Sequence, residues 1–366
     1  MLIAMAACSK KQQEGSNKER TIGDWQPVAP LLTARYVHRS IVLNDSLVLV
    51  IGGDGEKDRL ARCEIYDLKR NRWQEIDSLH TARRSFSLTR LNDGRLLVVG
   101  GMGRKGRLTS AEIFDPKTMT WQPAGNLRFK RVSHTATRLP DGRVLIVGGR
   151  GDARESRSCE MFDPKTGRWR EVAAMKYARG AHTASLLLDG RVLVTGGYDD
   201  LGENQNTCEI YDPQTDTWAE ASPMFTARDG HQAVTLADGR IMVIGGVGKN
   251  RYATMCEIYD PAAGRWHQSA ELNQGRDGHR AILMPGGWIL VTGGFFNGQF
   301  LDACEIFDPQ KQQWLPAAPL PKPRSGHDAV LLPDGRVMVT GGGLDTHVLD
   351  NCDIFRISPQ RNTNTP

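Results

Sequence analysis

The chain of 366 residues is built from one unit that returns seven times, and this repeat constrains the fold more than any other feature. Its Gly-Gly pairs are separated by steps of 48, 48, 48, 49, 48 and 48 residues, from Gly52-Gly53 to Gly341-Gly342. Seven tryptophans keep the same steps: Trp25, Trp73, Trp121, Trp169, Trp218, Trp266 and Trp314. A period of this length is typical of propellers and solenoids, in which each unit buries its apolar face against its neighbours.

Each unit is predicted to contain four short strands. In the third copy we expect them over 134–139, 144–147, 159–163 and 169–172. The hairpin dipeptide Asp-Gly follows the first strand in five copies, at 93, 141, 189, 238 and 334. Asp-Pro follows the third strand in five copies, at 115, 163, 212, 260 and 308. Short strands at even spacing with regular turn signals predict an all-β fold, either radial or solenoidal.

The motifs Arg-x-x-His, Asp-Gly-Arg-Val-Leu-x-x-Gly-Gly, Glu-Ile-Tyr-Asp-Pro and Trp resemble the kelch repeat. The similarity is greatest to bacterial kelch proteins and to the propeller of galactose oxidase, and it covers about nine tenths of the chain. The resemblance implies a kelch β-propeller with the Arg-x-x-His strand innermost and the Trp strand outermost.

The two ends of the repeat array predict how the ring closes. The last copy ends at Phe355 without Asp-Pro or Trp, whereas the segment around Trp25 offers a Trp strand with no strands before it. We therefore predict seven blades, with the N-terminal strand as the outer strand of the last blade. The propeller would occupy residues 23–356, followed by a disordered tail over 357–366.

The N-terminus carries a second signal. Residues 1–8 are apolar and small, and the chain turns polar from Ser9. Ala6-Ala7-Cys8 resembles the end of a bacterial lipobox, in which the cysteine is lipidated. We predict a truncated lipoprotein signal over 1–8, lipidation at Cys8, and a flexible tether over 9–22. This places the protein on a lipid anchor in the bacterial cell envelope, at the periplasmic or outer-membrane face; the alternative is a cytoplasmic protein.

Charge and cysteine usage exclude some classes of partner. The net charge of +5 is small and spread along the chain, so we expect no nucleic-acid partner. No run of 18 apolar residues is present, so the membrane would be reached only through the anchor. Six cysteines share one strand position in different blades, too far apart for disulfides and without metal-site spacing: Cys63, Cys159, Cys208, Cys256, Cys304 and Cys352. We expect buried free thiols.

Arginine and an acidic residue recur once per blade. The arginines lead the inner strands, and they are Arg35, Arg83, Arg131, Arg179, Arg228, Arg276 and Arg324. The acids lie on the third strands, and they are Glu64, Glu112, Glu160, Glu209, Glu257, Glu305 and Asp353. Equal numbers, one of each per blade, predict a ring of partly buried ion pairs that belongs to the scaffold.

Histidine fills one inner-strand position in six blades, and Phe86 replaces it in blade 2: His38, His134, His182, His231, His279 and His327. The resemblance to galactose oxidase would allow a copper ligand at this motif. Those enzymes also need tyrosine ligands, however, and the residue before each motif position is never tyrosine. We therefore predict structural histidines that hydrogen-bond to neighbouring backbone, with no metal and no cofactor.

Specificity is expected in the loops that differ between blades. Two loops per blade open on one face, one after Gly-Gly and one between the motif arginine and histidine; we call this face the mouth. The candidate ligand-binding residues are Tyr36, Arg84, Arg104, Arg150, Tyr198, Asp199, Asp229, Asp277 and Phe295. Arginines supply contacts to carboxylates or phosphates, and aromatic rings supply stacking area for sugars or side chains. A calcium site at Asp199-Asp200 with Glu203 is an alternative use of the acidic half.

These features favour a non-catalytic module that binds a protein or glycan through its mouth. No Ser/His/Asp or Cys/His set, P-loop or H-E-x-x-H motif is present, so we assign no catalytic residue. Two alternatives stay open. The first is a carbohydrate-active enzyme, either an oxidase similar to galactose oxidase or a sugar mutarotase. The second is a structural subunit of an envelope complex that binds through its sides.

Overall fold

Seven four-stranded antiparallel sheets form the fold in the computed structural model. The structure describes residues 21–152, 155–249 and 251–357. Each sheet is one blade of a β-propeller. In six blades the strands follow chain order from the centre outward, as the resemblance to the kelch repeat implied, and in the last blade the N-terminal strand takes the outer position. Cys8 and the segments 1–8, 9–20 and 358–366 lie outside the described residues. Among the described residues, no helix is both long and apolar enough to cross a membrane.

The two inner strands of each blade surround the channel at the centre of the ring. The inner strands are Arg39–Asn44, Ser87–Arg90, Thr135–Arg138, Thr183–Leu186, Gln232–Thr235, Arg280–Leu283 and Asp328–Leu331. The second strands are Leu47–Ile51, Leu96–Val99, Val144–Val147, Val192–Thr195, Ile241–Ile244, Ile289–Thr292 and Val337–Thr340. The second strands are almost entirely buried because blades pack on both of their faces, which explains why they are continuous apolar runs.

The third and outer strands complete each blade. The third strands are Cys63–Asp67, Ser110–Asp115, Cys159–Asp163, Cys208–Asp212, Met255–Asp260, Cys304–Asp308 and Cys352–Arg356. The outer strands are Arg72–Ile76, Thr120–Asn126, Arg168–Val172, Thr217–Ala221, Arg265–Glu271, Gln313–Ala317 and Asp24–Val28. Hairpins of two-residue strands extend the mouth loops of four blades, and they are Met102–Gly103 with Gly106–Arg107, Val247–Gly248 with Arg251–Tyr252, Phe295–Phe296 with Gln299–Phe300, and Gly343–Leu344 with His347–Val348. A 3₁₀ turn spans Pro285–Gly287.

The N-terminal strand closes the ring, as predicted. Asp24–Val28 pairs antiparallel with Cys352–Arg356, and Trp25 lies opposite Phe355 in the register. The indole of Trp25 packs against the Phe355 ring with a centroid separation of 5.1 Å. Its Nε1 donates a hydrogen bond of 2.8 Å to the carbonyl of Ala318 in blade 6. One short strand therefore joins both ends of the chain and leaves the last blade with four strands.

In six of the seven blades the tryptophan of the outer strand donates a hydrogen bond to the blade before it; Nε1 of Trp121 in blade 2 finds no acceptor among the described residues. Trp73 donates from Nε1 to the carbonyl of Ala29 at 2.8 Å, and Trp218 donates to that of Ala173 at the same distance. Each indole also packs on a Phe or Tyr of its own third strand, with centroids 4.8–5.3 Å apart. The regular spacing of Trp in the sequence is thus the spacing of a repeated packing contact.

The predicted Arg–acid pairs are present in all seven blades. The N···O distance is 2.6–3.0 Å in six of them, and Arg35 with Glu64 forms the seventh. All seven arginines are completely buried. In blade 5, Arg228 also donates to the carbonyls of Gly245 and Met255, while Glu257 accepts the N–H groups of Phe225 and Thr226. The pair thus satisfies backbone groups from three separate segments of the blade.

The acid of blade 7 is the aspartate Asp353, whereas the other six blades have glutamate at this position, and the structure gives a reason for the shorter side chain. In the other blades the glutamate accepts an N–H from the residue three positions before the motif arginine, such as Leu32 for Glu64. That position in blade 7 is Pro321, which has no N–H to donate. Asp353 therefore needs to reach only Arg324, at 3.0 Å.

The motif histidines are structural, but their partners are not those predicted. We expected hydrogen bonds to backbone; in five of the six histidines, Nε2 instead bonds to a hydroxyl of the preceding blade. The pairs are His38 with Thr340, His134 with Ser87, His182 with Thr135, His231 with Thr183 and His327 with Thr292, at 2.8–3.0 Å. Burial lowers the pKa of His134 to about 3, so this imidazole is neutral at physiological pH.

The six described cysteines are free and buried, as predicted. Burial raises the pKa of Cys63 to about 12, which keeps the thiol protonated and unreactive at neutral pH. In blade 2 the equivalent position is the buried Ala111. These side chains act as small apolar groups in the packing between blades.

Candidate functional site

The two mouth loops of each blade lie side by side. The residue after the motif arginine forms a backbone bridge with the residue after the Gly-Gly pair. The bridges are Tyr36 with Asp54, Arg84 with Met102, Val132 with Arg150, Gly180 with Tyr198, Asp229 with Val247, Asp277 with Phe295 and Ser325 with Gly343. Seven of the nine candidate residues are members of these bridges, so they lie around the opening of the channel, whereas Arg104 and Asp199 lie farther out.

A sharp turn in every blade holds the loops in this position. In blade 3, Gly149 has φ +90°, and a Cβ there would lie 2.7 Å from both the Val132 carbonyl oxygen and the His134 Cβ. Only glycine allows the second and inner strands to approach this closely. The Gly-Gly pairs therefore set the distance between the two mouth loops.

Backbone peptide groups of neighbouring blades hydrogen-bond to one another where the mouth opens into the central channel; we call this set of groups the belt. The residue two positions after the motif arginine has a positive φ in every blade, including Val37 at 53°. In five blades its N–H donates to the carbonyl of the equivalent residue in the preceding blade; the donors are Val37, Ser85, Ala181, Gly230 and Gly326, at 2.7–3.5 Å. A positive φ is costly for a β-branched residue, and this hydrogen bond explains why Val37 keeps it.

The arginines of the mouth are largely neutralised within the protein. Arg84 forms an ion pair of 2.8 Å with Asp54, which also binds Arg59 at 2.9 Å. Arg104 pairs with Asp58 at 2.6 Å. The predicted basic half is therefore a set of local pairs, although the Arg104 side chain remains 63% exposed.

Arg150 makes a looser pair on the same half of the mouth. Its Nε lies 3.5 Å from the carboxylate of Glu155, which is buried, while the arginine side chain is 49% exposed. Among the predicted basic residues, Arg104 and Arg150 therefore keep the most accessible guanidinium groups.

The two aspartates of the mouth differ from the arginines, because neither forms an ion pair with a side chain that the structure describes. Asp229 accepts a hydrogen bond of 2.5 Å from the amide of Asn204, and Asp277 has no side-chain partner among those residues. Burial raises the pKa of Asp229 to about 6; the hydrogen bond from Asn204 opposes this rise, and the neighbouring charge of Asp277 adds to it. Burial also raises the pKa of Asp277. Two partly buried carboxyl groups thus stand without a counter-ion.

Aromatic rings border these carboxyl groups. Tyr252 packs against Phe296 with centroids 5.2 Å apart, and Phe295 packs edge-on against Phe300 at 5.1 Å. Burial and then the charge of Asp277 raise the pKa of Tyr252, which places that hydroxyl within electrostatic range of the carboxylate. This side of the mouth therefore combines negative charge with aromatic area, a combination that suits cationic groups.

Three depressions open on the mouth face. One of about 430 Å³ lies between blades 7 and 1 and one of about 340 Å³ between blades 1 and 2, and Tyr36 lines both. A larger groove of about 1010 Å³ lies between blades 3 and 4 and includes Asp199. The carboxylate of Asp199 accepts the N–H groups of Leu201 and Glu203, so it stabilises its own loop.

Two residues of the larger groove, Phe129 and Tyr177, were not among the predicted site residues. Phe129 is 42% exposed, and Tyr177 is the equivalent residue of the next blade. In the other blades this position, two residues before the motif arginine, is Thr33, Thr81, Thr226, Gln274 or Lys322. The replacement of a polar residue by an aromatic one in adjacent blades is a signal that a comparison of this column could have found.

The residues near the channel do not fit a copper centre. No group of three or more His, Cys, Asp or Glu in the described ranges is arranged to hold a metal ion. Five of the six motif histidines use Nε2 for hydroxyls of the neighbouring blade, and all six are buried between blades. We therefore derive no chemistry through a metal.

Removing the charge of Asp229 is expected to stabilise the fold at neutral pH. Because the folded protein raises this pKa, it binds the proton more tightly than the unfolded chain does. The contribution of Asp229 to stability is therefore fully present below about pH 4 and is lost as the pH rises through about 6. Asp229→Asn should raise the free energy of unfolding at pH 7.5 by about 1–2 kcal/mol, after allowance for solvent screening.

Urea unfolding between pH 4 and pH 8 measures this effect. The gain should shrink as the pH falls below 6 and vanish near pH 4. Glu56→Gln, an exposed acid on the same face, is the control and should give no such profile. A gain for Asp229→Asn that is constant with pH would contradict the prediction.

Comparisons with known proteins agree with this architecture. The segments 17–177 and 133–343 match the family model described as "KLHDC2/KLHL20/DRC7 Kelch-repeats domain". A comparison with curated protein sequences finds no significant match. One similar solved structure is described as "Novel fungal alcohol oxidase with catalytic diversity among the AA5 family, in complex with copper", with 19% identity and a TM-score of 0.78 over 94% of this chain and 79% of that one. Another, "Structure of YjhT", has 15% identity and a TM-score of 0.62 over 80% and 99%. At these identities the likeness shows the fold.

Proposed function

Since this chain belongs to the KLHDC2/KLHL20/DRC7 Kelch-repeats domain family, we propose that it is a non-catalytic module that binds a protein or glycan through its mouth. One observation carries the proposal: Asp229 and Asp277 are partly buried in the mouth and lack a counter-ion among the described side chains. Charged groups held in this way cost folding free energy. Their presence where the loops differ most between blades is what a binding site requires.

The charges of the mouth suggest what the partner brings. A lysine or arginine side chain of a protein, or the amine of an amino sugar, would neutralise Asp229 and Asp277. The rings of Tyr252 and Phe296 would add cation–π contact to that group. The exposed guanidiniums of Arg104 and Arg150 are placed to meet anionic groups at the rim of the same partner.

Binding of defined probes tests this proposal. We expect tetralysine, chitosan oligosaccharides or both to bind the full-length chain by calorimetry, with tetraglutamate as the anionic comparison. The double variant Asp229→Asn/Asp277→Asn should bind at least about 10-fold more weakly, the equivalent of about 1.4 kcal/mol.

A matched variant controls for net charge. Asp189→Asn/Asp238→Asn changes charge by the same amount in the inner hairpins of blades 4 and 5, at the opposite end of the blades. It should bind like the unmodified chain. Binding that is unaffected by the mouth substitutions would refute the mouth as the site and favour a structural protein that binds through its sides.

An enzyme acting on a carbohydrate is the second candidate. The observation in its favour is Asp229, since a carboxyl group with a pKa of about 6 beside a second carboxyl suits general acid–base catalysis. A sugar mutarotase would use such a group without a metal. Mutarotation of a panel of reducing sugars, followed by NMR, should show no acceleration if the binding function is correct. Acceleration that disappears in Asp229→Asn would establish the enzyme instead.

The proposed module works from a lipid anchor at Cys8 in the bacterial envelope. The support is the sequence Ala6-Ala7-Cys8, which ends an apolar segment as a lipobox does. Metabolic labelling with an alkyne fatty acid should mark the full-length chain in the membrane fraction of a bacterial host. Cys8→Ala should lose the label and become soluble. Unchanged fractionation of that variant would place the protein elsewhere.

A further inference from the structure

The first residue of each inner strand follows the motif histidine and lies beside the central channel. In blades 2–5 this residue is neutral: Ser87, Thr135, Thr183 and Gln232. In blades 6, 7 and 1 it is charged, as Arg280, Asp328 and Arg39. Three adjacent blades thus bring two positive charges and one negative charge to one level of the ring.

Asp328 and Arg280 neutralise each other. Arg280 donates from Nε to Oδ1 of Asp328 at 2.7 Å, and the backbone N–H of Ser40 in blade 1 donates to Oδ2 at 2.5 Å. Asp328 is 6% exposed and both of its oxygens are engaged. Asp328 therefore links blades 6, 7 and 1, and its direct ion pair is with Arg280.

Arg39 has no direct side-chain partner of its own among the described residues, although the charge of Asp328 acts on it. Its guanidinium forms no hydrogen bond or ion pair with any residue that the structure describes. In blades 2–4 the equivalent hydroxyl bonds to the histidine of the next blade, but the next blade after Arg39 carries the buried ring of Phe86 at that position. Burial and then the like charge of Arg280 lower the pKa of Arg39 to about 10, against the charge of Asp328, which raises it; Arg39 is therefore still charged at neutral pH.

We propose that Arg39 and Arg280 bind a small monovalent anion, a halide or a short carboxylate, in the central channel where blades 6, 7 and 1 meet. The three charged side chains sum to +1, and an enclosed unpaired charge is unfavourable. A guanidinium offers five N–H donors in one plane, and those of Arg39 find no acceptor in the described protein. Arg39 is partly accessible, so an anion of this size can reach it. The site is separate from the mouth loops and does not depend on the function proposed for them.

Thermal unfolding of the full-length chain at constant ionic strength tests the site. Sodium gluconate, whose anion is large, is replaced stepwise by sodium chloride, sodium bromide or sodium formate. The unfolding midpoint should rise and saturate, by about 3–6 °C at an anion concentration of about 100 times the dissociation constant. Saturation by halides alone assigns a halide, and saturation by formate as well assigns a site that also takes carboxylates.

Arg39→Met is the diagnostic variant. It removes the unpaired charge, so its midpoint in gluconate should equal or exceed that of the unmodified chain, and the saturable rise should be absent. Arg138→Met is the matched control, because it loses the same charge at the far end of the blade 3 inner strand, where Arg138 donates to the Arg90 carbonyl. It should keep the rise. Asp229→Asn/Asp277→Asn should keep it too, which separates this site from the mouth.

A crystal of the unmodified chain soaked in bromide gives a readout that needs no variant. We expect an anomalous peak within hydrogen-bond distance of the guanidiniums of Arg39 and Arg280. A midpoint that rises without saturation, an equal rise in Arg39→Met, or no bromide peak at these side chains would each overturn the proposal.

Discussion

Arg228→Met is expected to lower the free energy of unfolding by about 3–5 kcal/mol. The substitution leaves the carboxylate of Glu257 buried without its cation and removes the donors to the carbonyls of Gly245 and Met255. Methionine fills much of the volume but supplies no donor, so the loss comes from uncompensated polar groups rather than from a cavity. Equilibrium unfolding in urea, followed by both tryptophan fluorescence and circular dichroism, measures it.

Two further variants test whether the loss of stability in Arg228→Met comes from the buried ion pair. Arg191→Met, which removes an exposed arginine of an inner hairpin, should change stability by no more than about 0.5 kcal/mol. Arg228→Met/Glu257→Gln should lose less than the sum of the two single changes, because the pair fails as a unit. A loss below about 1 kcal/mol for Arg228→Met would mean that the pair contributes little to the fold.

Removal of residues 1–28 is expected to destabilise the propeller by about 5 kcal/mol or more. The last blade would keep three strands, and the edge of Cys352–Arg356 would lose its ladder partner. Loss of a packed tryptophan alone costs about 3–5 kcal/mol, and Trp25 also holds blade 6 through the Ala318 carbonyl. An open edge strand also invites pairing between chains, so aggregation should accompany the loss.

The unfolding midpoint and the elution volume of residues 29–366 measure this effect. A chain that begins at Thr21 keeps every contact of the closing strand and should unfold like the full chain. A synthetic peptide of residues 21–30 should restore part of the lost stability to the truncated chain. If residues 29–366 remain monomeric with an unchanged midpoint, closure by the N-terminal strand is not what stabilises the ring.

The sequence predicted those parts of the fold that depend on residue identity at a fixed period. Blade number and the seven Arg–acid pairs follow from the repeated columns, ring closure follows from the incomplete first and last copies, and strand order follows from the resemblance to the kelch repeat. The histidine partners did not follow, because they lie in the preceding blade and vary between its inner and second strands. Ser87 serves His134, for example, whereas Thr340 serves His38.

The same limit applies to the mouth. Loop periodicity indicated which loops share the mouth face, but the bridges of Tyr36 with Asp54 and of Asp277 with Phe295 are seen only in the structure. It did not predict that Arg84 is neutralised by Asp54, because that pair joins loops of adjacent blades and depends on side-chain reach. The unpaired state of Arg39 is a similar case: it becomes visible only once the partners of Arg280 and Asp328 are known.

The belt of peptide groups fixes the width of the channel opening, whereas the side chains above the belt determine what can bind there. Its hydrogen bonds run through main-chain atoms, so the aperture is the same whichever side chains precede it in the chain. Each blade then contributes one residue immediately above the belt: Tyr36, Arg84, Val132, Gly180, Asp229, Asp277 and Ser325. These seven positions form a circular array that can change its chemistry residue by residue while the ring beneath stays fixed. Such an array is open to recombination, by evolution or by a designer, in a way that a site built into a packed core is not.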